Sequence, residues 1–365
     1  MKIVILGLTN GGLTNRGLTS GYRQDGGHSM RWRALIHGLA IRGHRVVAVE
    51  RTGPGPSVPW TIPGGEVLSY GAWDEVAVAA AAQADDAGVA LVVAQGPDAR
   101  AAADLVRQSR TPRRVLYDPE AAVSLTALEA GEAVEHLPAD GLAGFDMVLA
   151  SCGGPALDRY RAKAGAESVA PLYPWVVPEE DKPGDFKREY LADLCCIVGG
   201  PDGIREGLDK FFIDPAQRLT RRRFALVGSD LPDGVPRTTN ILTFPDLDPV
   251  RHADVLASAS LALTLARDDE RRIGWCPSPR LFLAAACGAA IVADRWEGLD
   301  SFFEPGREIL VAAQTDDVTT AMMLPRNHLT DLGRRARKRV LAEHSAERRV
   351  QELRSILDLK GGGDD

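Results

Sequence analysis

The segment GWCPSPRLFLAAACGAAIVADRWEGLDSFFEPGREILVA, residues 274–312, contains a complete helix–strand unit. Ser278 is a favourable N-cap residue, Pro279 suits the first helical position, and Gly288 suits the position just after the last turn. The helix between them is short, apolar and rich in alanine, which indicates close packing in a protein core. The apolar run Ala290–Ala293 that follows it is predicted to be a buried strand.

The same alternation of helices and strands extends along the rest of the chain. Strands are predicted at residues 2–6, 45–49, 89–94, 114–117, 147–150, 193–198, 223–227, 240–243, 261–265 and 290–293. Helices are predicted at residues 30–42, 75–87, 203–212, 249–259 and 279–287, with a long charged helical stretch at 329–357. Short apolar strands that alternate with helices are typical of parallel, doubly wound sheets. The fold class is therefore predicted to be α/β.

Length and composition favour two domains. The chain has 365 residues, of which 45% are hydrophobic and 25% charged, and domains average about 150 residues. The segment APLYPWVVPEEDKPGD, residues 170–185, combines four prolines with an acidic run. No regular element is expected there, so it is predicted to link the domains. Open α/β sheets bind ligands beyond the carboxyl ends of their strands, so we expect a cleft between two Rossmann-like halves.

Charge and cysteine content argue against several classes of protein. Lysine and arginine number 43 against 50 aspartates and glutamates, and the net charge of −7 disfavours a nucleic-acid-binding protein. No apolar run reaches the roughly 18 residues of a transmembrane helix, and the opening MKIVILG favours a strand over a signal peptide. The five cysteines lack CxxC spacing, which disfavours disulfides or zinc and favours a cytoplasmic location. The basic run 333–349 could contact a membrane surface peripherally, but a solvated helix face is favoured.

A glycine-rich loop, residues 7–28, follows the first strand and contains the near-repeats GLTNG, GLTNR and GLTSG. Its glycine amides could cradle an anion. About twenty residues separate the strand from a helix expected near Ser29, which does not fit the tight turn of a dinucleotide-binding fingerprint. A substrate lid and a flexible loop are both compatible with this pattern. His28, where the loop meets the helix, suits a general base or an acceptor contact, or else a structural role.

Two acidic residues follow the strand predicted at 114–117. Asp118 and Glu120 stand at its carboxyl end, in the sequence LYDPEAAVSL. A carboxylate there can deprotonate a hydroxyl group or hold a sugar hydroxyl. Acidic residues beside proline are also common turn formers, so both interpretations stay open.

Two segments are suited to binding phosphate. CCIVGGPDGIR, residues 195–205, runs from a buried strand through Gly199 and Gly200 into a helix that carries Arg205. The glycines allow close approach of the backbone to phosphate, although many α/β turns also contain glycine. The helix after Ser278 would direct its free amides and Arg280 toward an anion such as a nucleotide diphosphate. A well-capped core helix with a surface arginine is the alternative.

Several of these segments resemble one family. CPSPRLFLAAACGAAIVADRWEGLDSFFEPGREILVA is similar to SPSxRxFEAAACGxPxxxDxWxGLexFFxPGxEILxA of the CgeB-like (spore-maturation-type) glycosyltransferases of the GT-B fold. HSMRWRAL, residues 28–35, is similar to the family's HATxWRGL, and YDPEAAVSL, residues 117–125, resembles its YDxDTPVTL without the Thr-Pro. CGGPALDRY and PLYPWVVPE are similar to the family's TGGPxLxxL and to its interdomain hinge. The resemblance therefore covers nearly the whole chain.

The resemblance implies a GT-B architecture of two Rossmann-like domains that face a cleft. The nucleotide-sugar donor would bind to the C-terminal domain and the acceptor to the N-terminal one, and the last helix would cross back to the first domain. The implied bounds are 1–172 for the first domain, 173–188 for the hinge, 189–340 for the second domain, 341–358 for the crossover helix and 359–365 for a disordered tail.

The resemblance also implies roles for individual residues. Those expected near the donor diphosphate, including the phosphate-facing start of a helix, are Gly199, Gly200, Arg205, Ser278 and Arg280. Those expected on the acceptor side are the candidate catalytic residues His28 and Asp118, with Arg33, Glu120 and the loop glycines Gly11 and Gly12. Leu283 stands where the family has a glutamate that, by analogy with related GT-B enzymes, binds the donor ribose. Leucine cannot accept that hydrogen bond, and its loss costs roughly 1.5–3 kcal/mol.

The leading hypothesis is a glycosyltransferase that moves a sugar, hexose-like, from a nucleotide-diphosphate donor to a hydroxyl or amine of a small molecule, glycan or protein. The resemblance implies that no metal is needed, since GT-B enzymes generally need none, so the enzyme is expected to be metal-independent and to need no cofactor. One alternative is a catalytically silent GT-B protein that binds a ligand or partner, which Leu283 motivates. Another is a nucleotide-sugar epimerase.

Overall fold

The computed structural model describes residues 1–10, 26–53, 59–199, 203–228, 231, 234–236, 238–245 and 247–359. The chain divides into two units. Unit 1 contains the described residues up to Tyr173 and those from Ala346 onward, and unit 2 contains the described residues of Pro174–Ser345.

Unit 1 is built on a seven-stranded parallel sheet. Its strands are β1 (Lys2–Asn10), β2 (Arg45–Thr52), β3 (Glu66–Tyr70), β4 (Val89–Val93), β5 (Arg114–Asp118), β6 (Met147–Ala150) and β7 (Val169–Pro171). Their order in the sheet is β3-β2-β1-β4-β5-β6-β7. The helices between them are α1 (Gly26–Ala40), α2 (Trp73–Asp85), α3 (Ala99–Gln108), α4 (Ala121–Ala130) and α5 (Ala156–Ala164).

Unit 2 is built on a six-stranded parallel sheet. Its strands are β8 (Ala192–Ile197), β9 (Phe224–Gly228), β10 (Ile241–Pro245), β11 (Ala259–Thr264), β12 (Ile291–Asp294) and β13 (Leu310–Ala312), in the order β10-β9-β8-β11-β12-β13. Its helices are α6 (Arg205–Leu208), α7 (Asp214–Arg218), α8 (His252–Ser258), α9 (Asp268–Ile273), α10 (Pro279–Ala286), α11 (Thr315–Ala321) and α12 (Arg326–Glu343). The final helix of the chain, α13 (Ala346–Ile356), belongs to unit 1.

Central strands are almost wholly apolar because helices cover both faces of each sheet. All five residues of β4, VALVV, are buried, and so are all five of β9, FALVG. Parallel sheets covered on both faces require such continuous apolar runs. The predicted α/β class is therefore confirmed, and β6 has the bounds that its sequence predicts.

Three strands have no counterpart among the predicted ones, and all three lie at sheet edges. β3 and β13 are only partly buried, and every residue of β7 is half-buried. Strands at an edge need no continuous apolar run, so their sequences lack the pattern that identifies central strands. Because β7 ends inside residues 170–185, the expectation that this proline-rich segment has no regular element is wrong at its start.

The predicted helical stretch 329–357 consists of two helices, and the second begins five residues after the start expected for the crossover helix 341–358. α12 ends at Glu343 and α13 begins at Ala346, where the chain passes from unit 2 to unit 1. At the break, the His344 carbonyl accepts a hydrogen bond from the Val176 amide at 2.9 Å. In unit 1, α13 packs against α1. Leu359, the first residue of the predicted tail, is buried instead, and its amide donates a hydrogen bond to the carbonyl of Arg354.

The basic run 333–349 is divided between both units and is used for internal contacts. Arg337 Nε donates to the Ala286 carbonyl at 2.9 Å, and Arg339 Nε donates to the Phe302 carbonyl at 3.2 Å. These contacts hold α12 against its own unit, whereas Arg334 of the same run is exposed. No helix among the described residues is long and apolar enough to cross a membrane.

Arg349 anchors α13 within unit 1. Its side chain is 1% exposed, its Nε donates to the Tyr173 carbonyl at 2.8 Å, and its Nη1 donates to Glu352 at 2.8 Å. Tyr173 is the last residue of unit 1 before the chain enters unit 2. A buried guanidinium that satisfies a backbone carbonyl cannot be removed without leaving that acceptor unpaired.

We expect Arg349→Ala to lower the free energy of unfolding by roughly 2–4 kcal/mol, because a buried charged hydrogen bond is lost. Arg348→Ala is the matched control, since Arg348 is half exposed and also pairs with Glu352; its cost should stay below about 0.5 kcal/mol. Urea unfolding measures both variants. Equal costs would show that Arg349 is not the anchor of α13.

Candidate functional site

The carboxyl edge of the sheet in unit 2 borders a partly open cavity, whose empty space together with the adjoining solvent is about 280 Å³. Apolar side chains from β8, β11, α8 and α10 make most of its wall: Cys195, Ile197, Leu256, Ala262, Leu263, Leu283 and Ala284. The polar members are Thr264, the last residue of β11, and Arg280 in the first turn of α10. The Oγ1 atom of Thr264 is buried and has no hydrogen-bond partner among the described residues. The cavity therefore combines an apolar wall with one cation and one free hydroxyl group.

The first turn of α10 has the predicted capping geometry. Ser278 is the N-cap, and its Oγ accepts a hydrogen bond from the Arg280 amide at 3.4 Å. Pro279 is the first helical residue, and Gly288 follows the helix with a φ of +74°. These three predictions are confirmed. Leu283, one turn into the helix, is half-buried and faces the cavity.

His252, the first residue of α8, is a member of this region that the sequence analysis does not identify. Burial, and to a smaller extent the positive charge of Arg280, lower its pKa to about 4. The imidazole is therefore neutral at physiological pH and can both donate and accept hydrogen bonds. No motif surrounds His252, so its proximity to Arg280 follows only from the fold.

The loop before α10 contains strained backbone. Trp275 has a φ of +51°, in the left-handed region that residues other than glycine rarely adopt. Its ring packs directly on Gly298, where any side chain would collide with it, and its amide donates to the Glu297 carbonyl at 2.6 Å. Backbone strain of this kind concentrates at functional sites.

Asp294 ties two loops together at the same edge. It ends β12 and accepts hydrogen bonds from the Ala266 amide at 2.9 Å and from Arg271 Nε at 3.1 Å. Burial raises the pKa of Asp294, and these two hydrogen bonds lower it by less, so that the pKa is about 6. The loop containing Ala266 is also joined to the glycine segment, because the Asp268 amide donates to the Gly203 carbonyl at 2.7 Å.

The glycine segment after β8 holds the other predicted donor residues. Gly199 lies just beyond the strand, whereas Gly200 lies outside the described residues. Arg205 begins α6, a helix of only four residues, and its Nε is paired with Asp209 at 2.8 Å. Asp209 opens a π-helical turn that connects α6 to α7. Arg205 is thus on the expected side of unit 2, with part of its charge already compensated.

In unit 1, Asp118 ends β5 and is completely buried. Its Oδ2 accepts a hydrogen bond from the Tyr160 hydroxyl at 2.6 Å, and its Oδ1 accepts one from the Glu120 amide at 2.9 Å. Nε2 of His136 lies 3.4 Å from Oδ1 and 2.9 Å from the Oγ atom of Ser124. An enclosed carboxylate does not fit the expected role of a base that takes a proton directly from a substrate.

The pKa values of Asp118 and His136 shift in opposite directions. Burial raises the pKa of Asp118, but the hydrogen bond and charge of His136, together with the hydroxyls of Tyr160 and Ser124, outweigh it and leave the pKa below its usual value. Burial lowers the pKa of His136, but the hydrogen bond and charge of Asp118 outweigh it and raise the pKa above its usual value. Both shifts favour an ion pair.

A second polar group lies at the end of β2. Glu50 is buried and accepts a hydrogen bond from Trp60 Nε1 at 3.0 Å. The guanidinium of Arg33 lies 3.7 Å from Glu50 and 5.1 Å from the centre of the Trp60 ring. Arg33, expected on the acceptor side, is thus fixed in unit 1 by a carboxylate and an aromatic face.

The structure describes only some of the remaining residues expected on the acceptor side. Glu120 follows β5 and is buried. Gly11 and Gly12 lie outside the described residues, and of His28 the structure describes only the backbone, within α1. Across the described residues, no group of three histidine, cysteine, aspartate or glutamate side chains is arranged to hold a metal ion.

Comparison with known proteins agrees with this architecture. Residues 205–355 match a family model described as glycosyl transferase-like, and no curated protein matches the chain. Sucrose-phosphate synthase from Thermosynechococcus elongatus is 13% identical with a TM-score of 0.64, covering 98% of both chains. HepE from Anabaena, solved with UDP and glucose, is 13% identical with a TM-score of 0.63, covering 98% of this chain and 99% of its own.

A glucosyltransferase solved together with DNA also has this fold. An α-glucosyltransferase solved with UDP and a 13-mer DNA is 12% identical with a TM-score of 0.62, covering 98% of this chain and all of its own. At these identities the likeness shows the fold alone. The chain has the two Rossmann-like domains of GT-B glycosyltransferase structures.

We expect the ion pair of Asp118 and His136 to give unit 1 a specific pH dependence. Because folding raises the pKa of His136 above 6.5, its stabilising contribution is complete below pH 6.5 and is lost as the pH rises through the raised value. Because folding lowers the pKa of Asp118 below 3.8, its contribution is present above pH 3.8 and is lost as the pH falls through the lowered value.

Urea unfolding between pH 5 and 9 measures the first of these losses. His136→Gln should flatten the decline above pH 6.5, whereas His328→Gln, at an exposed histidine of α12, should leave it unchanged. An unchanged decline in His136→Gln would contradict the assignment of the ion pair.

Proposed function

We propose that the protein is a glycosyltransferase that moves a sugar from a nucleoside diphosphate to a hydroxyl or amine acceptor. The observation that carries this proposal is the match of residues 205–355 to a glycosyl transferase-like family model. That span contains α10 with Arg280, the last strand residue Thr264 and the apolar wall at Leu283. The matched sequence and the cavity therefore belong to the same part of unit 2.

The donor diphosphate is assigned to the start of α10. The positive end of the α10 dipole and an arginine in its first turn together attract a doubly charged phosphate group. The neutral imidazole of His252 adds a hydrogen-bond donor close to the same arginine. We also assign Gly199, Gly200 and Arg205 to the donor diphosphate, since they follow β8, another strand of the same sheet. The solved structures of HepE and the α-glucosyltransferase contain UDP, which makes UDP-sugars the first donors to test.

The apolar wall at Leu283 changes how the donor is held. A leucine at this position supplies no hydrogen bond to ribose hydroxyls, and a charge-assisted hydrogen bond is worth roughly 1.5–3 kcal/mol, or about tenfold to a hundredfold in affinity. We therefore propose a donor bound chiefly through its diphosphate. A catalytically silent binding protein is the second candidate, because the same leucine would also suit a cavity that has lost nucleotide binding.

The acceptor is assigned to unit 1. Its carboxyl edge carries Glu50 near the end of β2, with Arg33 of α1 beside it, and the buried Asp118 group at the end of β5. The net charge of −7 favours a small molecule, glycan or protein over nucleic acid as the acceptor. Metal independence is also part of the proposal, since arginine and helix amides can stabilise the leaving diphosphate without an ion.

Calorimetry of the whole chain with UDP, GDP and dTDP should reveal binding of at least one nucleotide. Arg280→Ala should weaken that binding by about tenfold to a hundredfold, because a charge-assisted contact to phosphate is lost. Arg326→Ala is the control, since Arg326 is an exposed arginine at the start of α12, and its affinity should equal that of the unaltered chain. Absence of binding by all three nucleotides would favour the silent binding protein.

Turnover of UDP-, GDP- and dTDP-sugars in excess EDTA tests metal independence. We expect the rate of nucleotide release to be the same with and without the chelator. Loss of turnover in EDTA, with recovery on adding Mg²⁺, would contradict this part of the proposal. Exchange of the donor C2 proton with solvent, in the absence of any acceptor, would instead indicate an epimerase.

A further inference from the structure

His136 lies in a long loop that returns to the carboxyl edge of the sheet in unit 1. α4 leads away from the end of β5, and the loop after it brings His136 back to Ser124, in the first turns of α4. Arg100, in the first turn of α3, holds the loop in place on both sides of the histidine. Its Nε donates to the Leu137 carbonyl at 3.1 Å, and its Nη2 donates to the Val134 carbonyl at 3.2 Å.

The two ring nitrogens of His136 have different surroundings. Nε2 faces Asp118 and Ser124, at 3.4 and 2.9 Å. Nδ1 has no hydrogen-bond partner among the described residues. The side chain is 16% exposed, whereas that of Asp118 is completely buried. A proton on Nε2, directed at the carboxylate, leaves the lone pair of Nδ1 available to a substrate.

Another polar atom at this edge also lacks a partner. Gln95 follows β4, the strand that pairs with β5, and the residue is 6% exposed. Its side-chain oxygen Oε1 is buried and has no partner among the described residues. Unsatisfied buried acceptors are rare in native proteins and call for an explanation, such as a bound ligand group. A hydroxyl-bearing acceptor would satisfy Gln95.

We propose that His136 is the base that accepts the proton of the attacking acceptor group, and that Asp118 is its positioning residue. This inference rests on the proposed glycosyltransferase function. Asp118 has an indirect role here, because its burial prevents direct contact with substrate. A carboxylate that orients an imidazole through one nitrogen, while the other nitrogen takes the proton, is a recurrent arrangement in enzymes.

The proton and electron pairs balance in a single transfer step. The acceptor hydroxyl gives its proton to Nδ1 of His136 as its oxygen forms a bond to the anomeric carbon of the donor sugar. The bond from that carbon to the diphosphate oxygen breaks, and its electron pair leaves with the nucleoside diphosphate. The imidazolium formed at His136 is stabilised by Asp118 and afterwards releases its proton to solvent.

The surroundings of the pair favour this cycle. The titratable groups that face it are Asp118 from β5, Glu120 from the following turn, Glu135 from the loop, Tyr160 from α5 and Cys152 after β6. The carboxylates at positions 118, 120 and 135 favour the charged imidazolium, so the transferred proton is held until the product leaves.

The test is the release of nucleoside diphosphate from UDP-, GDP- and dTDP-sugars with water as the acceptor. We expect the rate to rise with pH through a single limb whose midpoint lies above 6.5, as the imidazole becomes neutral. His136→Gln can still donate to Asp118 but cannot take a proton, so it should abolish the limb and lower kcat by about 10²- to 10⁴-fold. Asp118→Asn should lower kcat similarly and move the midpoint to lower pH, with an unchanged donor Kd.

Thr111→Val is the structural control. It removes a buried hydrogen bond to the Ala87 carbonyl, 3.0 Å long, before β5 begins in the same unit. This variant should lose stability but keep both kcat and the pH limb. Unaltered kcat in His136→Gln would overturn the role of His136 while leaving the glycosyltransferase function intact. Absence of nucleotide binding and turnover in the unaltered chain would overturn both.

NMR of the histidine rings gives a readout that needs neither turnover nor a variant that folds. In the unaltered chain, ¹⁵N shifts should show His136 protonated on Nε2 and titrating on Nδ1. A neutral imidazole that carries its proton on Nδ1 would overturn the proposal.

Discussion

A parallel strand that is buried on both faces can carry functional polar side chains only where it ends. This constraint governs both units. β4 and β9 contain no charged residue and are completely buried, whereas Asp118 and Asp294 are the terminal residues of β5 and β12. Because all strands within a sheet are parallel, these ends share one edge, and helix N-termini meet them there. The chemistry of each unit is therefore confined to a single rim.

The two rims differ in character. In unit 2, an apolar wall with Arg280, Thr264 and a neutral His252 suits a ligand that is anionic at one end. In unit 1, Asp118 is neutralised within its own cluster, leaving His136 as the member of that cluster with an exposed surface. One rim thus carries a cation beside an apolar wall, and the other carries a histidine paired with a buried carboxylate.

The fold was predictable because central strands and helix caps leave local signals. The helix after Ser278 has its predicted cap and stop, since both depend on residues close in sequence. Edge strand β3 and the break between α12 and α13 were not predictable, because they depend on sheet position and on the passage between units. In the sequence, Arg349 is indistinguishable from the other basic residues of a charged helix. Only its contact with Tyr173 in the structure identifies it as an anchor.

The candidate site was predictable to a lesser extent. Asp118 and Arg280 are recognisable from their positions after a strand and at a helix start, but the burial of Asp118 is set by side chains distant in sequence, such as Tyr160. His136 and His252 lie in segments without motifs and acquire partners only through the fold. Contacts between distant segments leave no periodicity in a single sequence, so such residues escape pattern analysis.

Hydrogen–deuterium exchange of the whole chain, with and without each of UDP, GDP and dTDP, tests the central claim most directly. At least one of these nucleotides should slow exchange of the amides at the start of α10 and at the end of β11, because the bound nucleotide would cover both segments and hold them in place. Exchange that is unchanged there with all three nucleotides, or protection confined to unit 1, would contradict a nucleoside diphosphate site at Arg280.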